Sequence, residues 1–589
     1  MIMKRETYLL FGALITAVLI SLGSPSIRAK AIEQPNLQMA VMSDIHVISK
    51  NPNNHFKQAL TSLQGVAPDY DAIAIVGDMT DSGSEADYQL FNHLLETYKN
   101  PSAEQLLSIG NHEYFESYLD RNSTVTDEML QSRFMNYNSD SPTRIYYDKW
   151  IKGYHFISLG GELSPRTLLP YSSSNPGTHD WAYISDQQYE WLEQTLAINA
   201  TNNKPIFVFL HQPITNTVYG SINWNAGFDS ERLLAILKKY PQAILFSGHS
   251  HYLINHPKSI YQDGFTMVNT SSVEYTWYEG GRVPDFSQGF LVNVYNNRVE
   301  LKGLEFSNDT LIRTATIPIP YKEAAKDTTT PSFTGNSNLA VSDLGTTSCT
   351  LSWNQGQDDT VVDRYIIKEG GEVVRTVYSS FWKPDEKVSV TLNNLAPDST
   401  HMYEVYAMDA YDNLSDTPIK ITFTTKPLLG WYQKDHTWYY YTSEGKMKTG
   451  WLFDQNHWYY LDSTGAMKTG WVFINGRWYD FDSSGLMKTG WVKESNQWYY
   501  LEPSGAMKTG WLFSGNKWYF LDPNGFMKTG WLFSGNKWYY LESTGAMKTG
   551  WLALGSQWYY LKTDGTMTTN SYLIAGKWYY FASNGVWKH

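Results

Sequence analysis

Apolar runs of six or seven residues recur through the first half of the chain, each closed by a polar cluster. They are "LQMAVM" from Leu37, "DAIAIV" from Asp71, "EQLLSI" from Glu104, "KPIFVFL" from Lys204 and "QAILFS" from Gln242. A continuous apolar run of this length, bounded by turn residues, predicts a strand buried on both faces. Between the runs lie segments with helical spacing, such as "HFKQALTSLQGV" from His55 and "ERLLAILKKY" from Glu231. Strands alternating with helices predict an α/β domain over residues 35–320.

The pattern then changes twice. The Thr-rich stretch "YKEAAKDTTTPSFTGN" from Tyr321, broken by Pro331, reads as a linker over 321–334. From 335 to 425, alternating runs such as "CTLSW" and "YIIKEGGEVVRTVY" predict a small β-sandwich, expected as a spacer. From 430 to 589 a twenty-residue period takes over: eight copies close to "GW(x6)WYYL(x3)GxMKT", the last of which begins at Asn570 without Gly-Trp and reads as a cap. Within a copy, "KWYYLES" reads as a strand and "STGAM" as its turn, so each copy predicts a β-hairpin stacked on the next in a solenoid. In "WYY" the Trp and second Tyr face one side and the middle Tyr the other.

Composition narrows the picture. A chain of 589 residues is too long for one core. Its net charge of -12 argues against a sequence-independent grip on nucleic-acid phosphates. The single cysteine, Cys349, permits no intramolecular disulfide, and its strand parity with Leu351 and Trp353 predicts a buried thiol. Lys4 and Arg5 precede an apolar run from Tyr8 to Leu22, then Pro25 and Ala29-Lys30-Ala31. That is the pattern of a cleaved secretory signal over 1–31, and the run is short for a membrane span. With no later span and no disulfide, the reading is a bacterial surface protein held non-covalently, without a membrane span once the signal is removed.

The ends of the five apolar runs carry the chemistry. In order they offer Asp44 and His46; Asp78; Asn111, His112 and Glu113; His211; and His249 and His251. Ligand sites of α/β sheets lie at carboxyl strand ends, so these five ends can converge on one crevice. Asp44 and His46, like His249 and His251, are two apart, so in extended chain each pair projects from one side. Gly77, Gly110 and Gly248 precede the ligands and allow close approach. Carboxylate and amide oxygens mixed with imidazoles suit Mn, Fe or Zn better than an all-oxygen cage for Ca or Mg, and two such ions can clamp a phosphoryl displacement. Taken singly each motif is a common turn, cap or structural histidine; five in order point to metal.

This series, Asp-x-His, Gly-Asp, Gly-Asn-His-Glu, His and Gly-His-x-His, resembles the calcineurin-like metallophosphoesterase family. The resemblance implies an α/β sandwich in which Asp44, His46 and His251 hold one metal, Asn111, His211 and His249 hold the other, and Asp78 bridges them. It implies His112 as the acid that protonates the leaving alkoxide and Asp81 as the carboxylate that orients it, against a plain reading of Asp81 as a turn residue. Protein phosphatases of the family carry Arg after that acid, where this chain has Ser82. An exported phosphodiesterase is the expected activity, with a phosphomonoesterase or nucleotide phosphatase, or a non-catalytic adhesin, as alternatives. Aromatic-rich insertions from Tyr146 to Trp191 and from Tyr219 to Phe228 are candidate pocket walls or plain surface packing.

The middle segment resembles a fibronectin type III domain through Leu351, Trp353, Tyr365, "LAPDST" from Leu395 and "AMDAYDNLS" from Ala407, with His401 where the family's corner tyrosine stands. Sixteen of the 23 tryptophans lie in the repeats, more than hairpin cores require, and electron-rich rings closing on a gap favour a quaternary ammonium. The copies resemble choline-binding repeats, which implies attachment to choline or phosphocholine on wall teichoic acid; similar repeats in other proteins stack on glucan. By that resemblance sites take two Trp of one copy, from Trp431, Trp438, Trp451, Trp458, Trp471, Trp478, Trp491, Trp498, Trp511, Trp518, Trp531, Trp538, Trp551, Trp558 and Trp578. A ring of the next copy completes each, expected at the position of Tyr460, Tyr500, Phe520, Tyr540, Tyr560 and Tyr580; the site of Trp451 and Trp458 would meet Asp480 instead and is expected to be impaired. The fold expected overall is multidomain: an α/β metallophosphoesterase sandwich, a fibronectin-like β-sandwich and a β-hairpin solenoid.

Overall fold

The computed structural model describes residues 33–50, 54–119, 124–141, 143–164, 167, 181–222, 230–283, 285–335 and 337–589. The expected signal over 1–31, and parts of both aromatic-rich insertions, lie outside these residues. Among the described residues no helix is long and apolar enough to cross a membrane. The chain forms two compact units: one holds the described residues up to Asn338 with Asn354–Val388 and Glu404–Ile419; the other holds Leu339–Trp353, Ser389–Tyr403 and Lys420–His589.

All five apolar runs are strands: β1 (Leu37–Met42), β2 (Ala72–Val76), β3 (Glu104–Ser108), β6 (Ile206–Phe209) and β7 (Ala243–Ser247). They are divided between two six-stranded sheets. In the first, β1, β2 and β3 run parallel, extended on the β1 edge by antiparallel β12 (Gln288–Val294), β13 (Arg298–Glu305) and β14 (Thr310–Pro318). In the second, β4 (Tyr147–Ile151) pairs antiparallel with β5 (Tyr154–Ser158); β5, β6, β7 and β9 (Thr266–Asn269) run parallel; and β8 (Ile260–Gln262) closes the far edge.

Because the strands are apolar on both faces, each sheet has two faces to cover. One core joins the sheets through residues such as Val41, Ala74, Val76, Phe207, Phe246 and Val292. A second packs the alternate residues Ala40, Ile73 and Ile75 against α1 (His55–Val66), α2 (Glu85–Tyr98) and α4 (Asp127–Tyr137), beside the short α3 (Phe115–Leu119). A third packs Ile157, Val208 and Leu245 against α5 (Asp186–Leu196) and α6 (Ser230–Leu237). The result is a four-layer arrangement with both sheets inside. Helix starts follow local rules: Ser84, Thr126 and Ser185 accept from the backbone N–H three residues on. Between β9 and β12 a small hairpin, β10 (Thr276–Tyr278) and β11 (Gly281–Val283), stands apart from both sheets.

The middle segment is an antiparallel β region of seven strands. A three-stranded sheet holds β15 (Ala340–Ser342), β16 (Ser348–Trp353) and β19 (Val388–Asn393); a four-stranded sheet holds β17 (Val362–Glu369), β18 (Glu372–Tyr378), β20 (Thr400–Asp409) and β21 (Ile419–Thr424). Cys349 is buried with Leu351 and Trp353, as strand parity predicts. At the corner, His401 is buried and its Nε2 lies 3.4 Å from the Ala396 carbonyl oxygen. The expectation of a spacer is corrected here. Much of this region belongs to the same compact unit as the two large sheets, because Trp382 packs edge-on against Tyr278 at 4.6 Å, Asp363 lies 3.5 Å from His256, and Asp412 pairs with Lys258.

In the second unit the repeats form eight hairpins in identical register, as in Gly510↔Leu521 and Trp511↔Phe520, the last extended by a third short strand, Trp587–Lys588. The turn position differs from the expectation. Each hairpin turns at the dipeptide before the second Trp-containing strand, and in seven of the eight both turn residues have positive φ, as in Gln455 and Asn456 at 46° and 66° and Gly515 and Asn516 at 53° and 60°. Two successive left-handed residues make the tight turn whose twist matches paired strands, and Asn and Gly tolerate it best. "STGAM" instead forms the return to the next hairpin, closed by bridges such as Leu521↔Met527.

Candidate metal centre and aromatic cages

The carboxyl ends of β1, β2 and β3 in one sheet and of β6 and β7 in the other bring all the expected metal ligands together. Asp44, His46 and His251 place one donor atom each within 4.8 Å of one another, and Asp78, His211 and His249 do the same. Asp78 lies between the groups: its Oδ2 is 3.0 Å from His211 Nε2, 3.9 Å from His46 Nε2 and 4.0 Å from His112 Nε2. Asp44 Oδ1 is 3.0 Å from His251 Nε2 and 3.9 Å from those of His46 and His211. Asn111 lines the same cavity, of about 240 Å³, with Asp78, His112 and His249.

The backbone that achieves this is not extended. Asp44, His46, Asp78, His249 and His251 all have φ between 47° and 66°. The expectation that each Asp-x-His or His-x-His pair projects from extended chain is therefore corrected: alternate left-handed residues fold the chain over the site. Non-glycine residues in this region cost about 1–3 kcal/mol each and persist only where surrounding contacts over-determine them. Those contacts are visible. His249 N–H donates to both oxygens of Asp44 at 3.1 and 3.0 Å, and His112 N–H donates to Asp78 Oδ1 at 2.9 Å. The glycines have the expected role of close approach: a Cβ on Gly77 would lie 2.4 Å from His211 Nδ1, on Gly110 2.2 Å from Asp78 Oδ1, and on Gly248 2.4 Å from Asp44 Oδ2.

Second contacts fix the rings. His211 Nδ1 donates to the Val76 carbonyl at 2.7 Å and His251 Nδ1 to the Tyr275 carbonyl at 3.0 Å, which turns both Nε2 atoms inward. His112 Nδ1 donates to the main-chain carbonyl of Asp81 at 2.8 Å, whereas the Asp81 carboxylate is 3.8 Å from that nitrogen and 3.5 Å from His46 Nδ1. The ring of His112 also stacks on Phe115 at 3.9 Å.

Electrostatics mark the cluster as a cation site. Burial would raise the carboxyl of Asp44, but the charges of His251 and His211 hold it down at about 2; Asp78 is likewise held well below the usual carboxylate range despite burial. Burial would lower His211, yet Asp78 and Asp44 raise it to about 10. For His249 burial wins, with His211 adding to it, and the ring falls to about 3. Two fixed carboxylates that keep a fully buried imidazole protonated to about 10 create a strong demand for positive charge. With imidazole nitrogens, carboxylate oxygens and an amide converging, the donor set fits a pair of transition-metal ions.

Several contributors have roles that the sequence did not mark: Glu113 stood among the strand-end residues, but it binds loops together, and Tyr275 and Trp277 carried no signal. Glu113, fully buried, accepts at Oε2 from the N–H groups of Asp78 (3.0 Å) and Gly110 (2.8 Å), and at Oε1 from Thr80 N–H and hydroxyl, both at 3.0 Å. It ties the loop after β2 to the loop after β3. Burial and the charge of Asp78 raise it to about 7. Ser43 donates to Asp44, and the segment after β9 grips the Asp44 turn through Val273 N–H and Glu274 N–H. The described walls of the cavity are Phe115, Tyr275 and Trp277; of the expected insertions, Tyr146 and Trp191 pack against each other at 4.9 Å, tilted by 51°, in the helix-side core.

In the repeats, the two Trp of one copy meet at right angles: Trp531 and Trp538 at 6.2 Å and 89°. The ring that arrives from the next copy is the middle tyrosine, Tyr559, 4.8 Å from Trp531. Trp531, Trp538, Tyr559 and Met567, with Ser583 and Asn584, enclose a cavity of about 290 Å³. The expected completing rings are therefore corrected by one residue. Tyr460, Tyr500, Phe520, Tyr540 and Tyr560 lie edge-on against the first Trp of their own copy at 5.2–5.3 Å, and Tyr580 stands opposite Ser571. Tyr459, Tyr479, Tyr499, Tyr519, Tyr539, Tyr559 and Tyr579 reach the preceding Trp instead. A one-residue shift moves a side chain to the opposite strand face. The site of Trp451 and Trp458 keeps its ring, Tyr479 at 4.9 Å; Asp480 is 1% exposed, paired with Lys488 at 2.8 Å, and stands across from Trp471. At the end of the array Trp587 occupies the methionine position, 5.5 Å from Trp551.

Residues 37–253 match the calcineurin-like phosphoesterase family, and 428–470, 468–510, 508–550 and 548–587 match the choline-binding repeat. A probable glycerophosphodiester phosphodiesterase of Arcobacter nitrofigilis is 26% identical over 220 residues, 36% of this chain and 70% of that protein. A probable cyclic nucleotide phosphodiesterase of Rhodococcus erythropolis is 24% identical over 288 residues, 46% of this chain and 85% of that protein. Choline binding protein F from Streptococcus pneumoniae is similar at 26% identity over 44% of this chain and 100% of its own, with a TM-score of 0.27. A dimetal phosphatase from Danio rerio is similar at 15% identity over 49% of this chain and 100% of its own, with a TM-score of 0.37.

Proposed function

We propose that this calcineurin-like phosphoesterase, whose distant homologues are phosphodiesterases, is an exported two-metal phosphodiesterase held on choline-bearing teichoic acid by its C-terminal repeats. The observation that carries the reading is Asp78, a single buried carboxylate facing His211 on one side and His46 on the other. Asp44, His46 and His251 would hold one ion, Asn111, His211 and His249 the second, with Asp78 shared. When bound, a transition-metal pair such as Mn, Fe or Zn supplies a hydroxide nucleophile at neutral pH and charge to balance the phosphoryl oxygens.

The chain's own residues supply position and protons. Fixed Nδ1 contacts of His211 and His251 keep their Nε2 lone pairs aimed inward. His112, with Nδ1–H given to the Asp81 carbonyl, turns Nε2 toward Asp78 and the cavity, where it can pass a proton to the departing alkoxide. Asp81 acts on His112 through its backbone, and its carboxylate faces His46.

The division into 35–320, a fibronectin type III-like region over 335–425 and choline-binding repeats over 430–589 belongs to the same reading. It is supported by the seven-strand antiparallel region and by the cages of crossed tryptophans. Several ring faces around a small gap bind a quaternary ammonium without needing a hydrogen bond. Purified full-length protein should hold two transition-metal ions per chain and, in a panel of nucleotides, cyclic nucleotides, phosphocholine and teichoic acid fragments, prefer diesters. Fewer than one ion per chain with no metal-stimulated hydrolysis overturns the assignment. Release from whole cells by choline but not by glucose polymers tests the anchoring.

A further inference from the structure

The hairpin β10–β11 forms one wall of the catalytic cavity, and strand alternation divides its residues between two faces. Tyr275 and Trp277 line the cavity; Trp277 is 37% exposed, and its cross-strand partner Arg282 lies over the Tyr275 ring at 4.3 Å. Tyr275 is engaged on both sides, since its other ring neighbours are His251 at 4.4 Å and His46 at 5.8 Å. Phe115 is likewise occupied by His112. Trp277 is thus the wall ring with open area at the mouth.

Tyr278, of opposite parity, meets Trp382 of the β region at 4.6 Å and 78°. Trp382 is itself crossed by Phe381 at 5.1 Å, and Phe381 packs against Tyr219 and His256. The Tyr219 hydroxyl accepts from Glu279 N–H at 3.2 Å, which ties the hairpin turn to the same cluster. A two-stranded hairpin is marginal alone. Here it belongs to neither large sheet: the Trp277 backbone is bridged to His251 and Leu253 on the cavity side, at 2.9 and 3.0 Å, and the Trp382 contact braces the face turned away from the cavity.

We propose that Trp277 is a specificity-determining residue that stacks on a ring-bearing or sugar-faced ester arm of a phosphodiester, and that Trp382 of the β region is a positioning residue that holds the hairpin bearing it. The inference rests on the two-metal phosphodiesterase reading. A Trp face accepts a flat aromatic or the apolar face of a sugar and gives little to a methyl or ethyl arm. The β region thereby takes part in substrate selection.

The test uses full-length protein loaded with Mn2+ and two diesters sharing a nitrophenyl leaving group, one with a phenyl and one with a methyl second arm. Trp277→Ala is expected to shrink the kcat/KM preference for the phenyl diester roughly tenfold, mainly through KM. Trp382→Ala should shrink it in the same direction by roughly threefold, and Trp382→Phe should restore it. Equal losses on both substrates in Trp382→Ala, or no recovery with Phe, would reduce Trp382 to a structural residue and overturn its part. An unchanged preference in Trp277→Ala overturns the subsite. Wild-type protein that cleaves neither diester would instead defeat the underlying phosphodiesterase reading.

Discussion

The metal-donor cavity and the aromatic cages are built in opposite ways. In the cavity every group occurs once, is nearly all buried, and sits on backbone that is unfavourable by itself: five of its residues adopt left-handed φ. In the repeats the same crossed-ring arrangement recurs from hairpin to hairpin on unstrained strands, and the second Trp of a copy is largely open, Trp458 at 43% exposure. Chemistry on a phosphate needs convergent charge held against its own repulsion and desolvation, which only a dense surrounding fold supplies. Retention on a polymer needs many weak contacts, and redundancy then replaces precision.

The largest expected effect comes from removing the shared acid. Asp78→Asn should lower metal-dependent hydrolysis on the order of 10³-fold while leaving choline-dependent cell attachment intact. Full activity in that variant would break the comparison, because the centre would then tolerate a loss as the repeats do. Glu113→Gln comes next. Either orientation of the amide points an NH2 at a backbone donor, so a melting experiment should show a loss of roughly 1–3 kcal/mol together with reduced metal retention. An unchanged melting temperature would show that the loops after β2 and β3 do not depend on this carboxylate.

Titration gives the third. His211, raised from 6.5 to about 10 in the metal-free cluster, contributes stability that is complete below 6.5 and is lost as pH rises through about 10. The metal-free protein should therefore melt at progressively lower temperature across that window, while Mn2+ affinity climbs because the His211 proton must leave first. Affinity flat with pH would separate His211 from the metal. The smallest effect is expected in the repeats: Trp538→Ala opens one cage of the array and should shift the choline concentration that releases the protein by no more than about twofold. A loss of attachment comparable to deleting the whole array would mean that one cage dominates.

Much of the centre was legible because its ligands follow buried strands, and buried parallel strands announce themselves as unbroken apolar runs. His211 and the Gly-Asp, Gly-Asn-His and Gly-His-x-His clusters needed only those run ends. Tyr275 and Trp277 were illegible for the same reason reversed, and Glu113, though it stood at a run end, gave no sign that it serves as a tie between loops. Glu113 acts through three donors on the loop after β2 and one on its own loop, and the hairpin carrying Trp277 has no periodicity to mark it. The cages show how little suffices to mislead: the repeat unit and its strand faces were plain, but the ring that crosses to the preceding copy lies one residue from the expected position.

Sequence by itself determined the element types, the twenty-residue period and the inventory of metal donors, since these depend on local patterning and residue chemistry. Tertiary structure decided the rest: the left-handed turns at Asp44, Asp78 and His249, the ring that closes each cage, and the docking of Trp382 on the hairpin β10–β11. Each of these depends on contacts between residues far apart in the chain, whose energies no local pattern encodes.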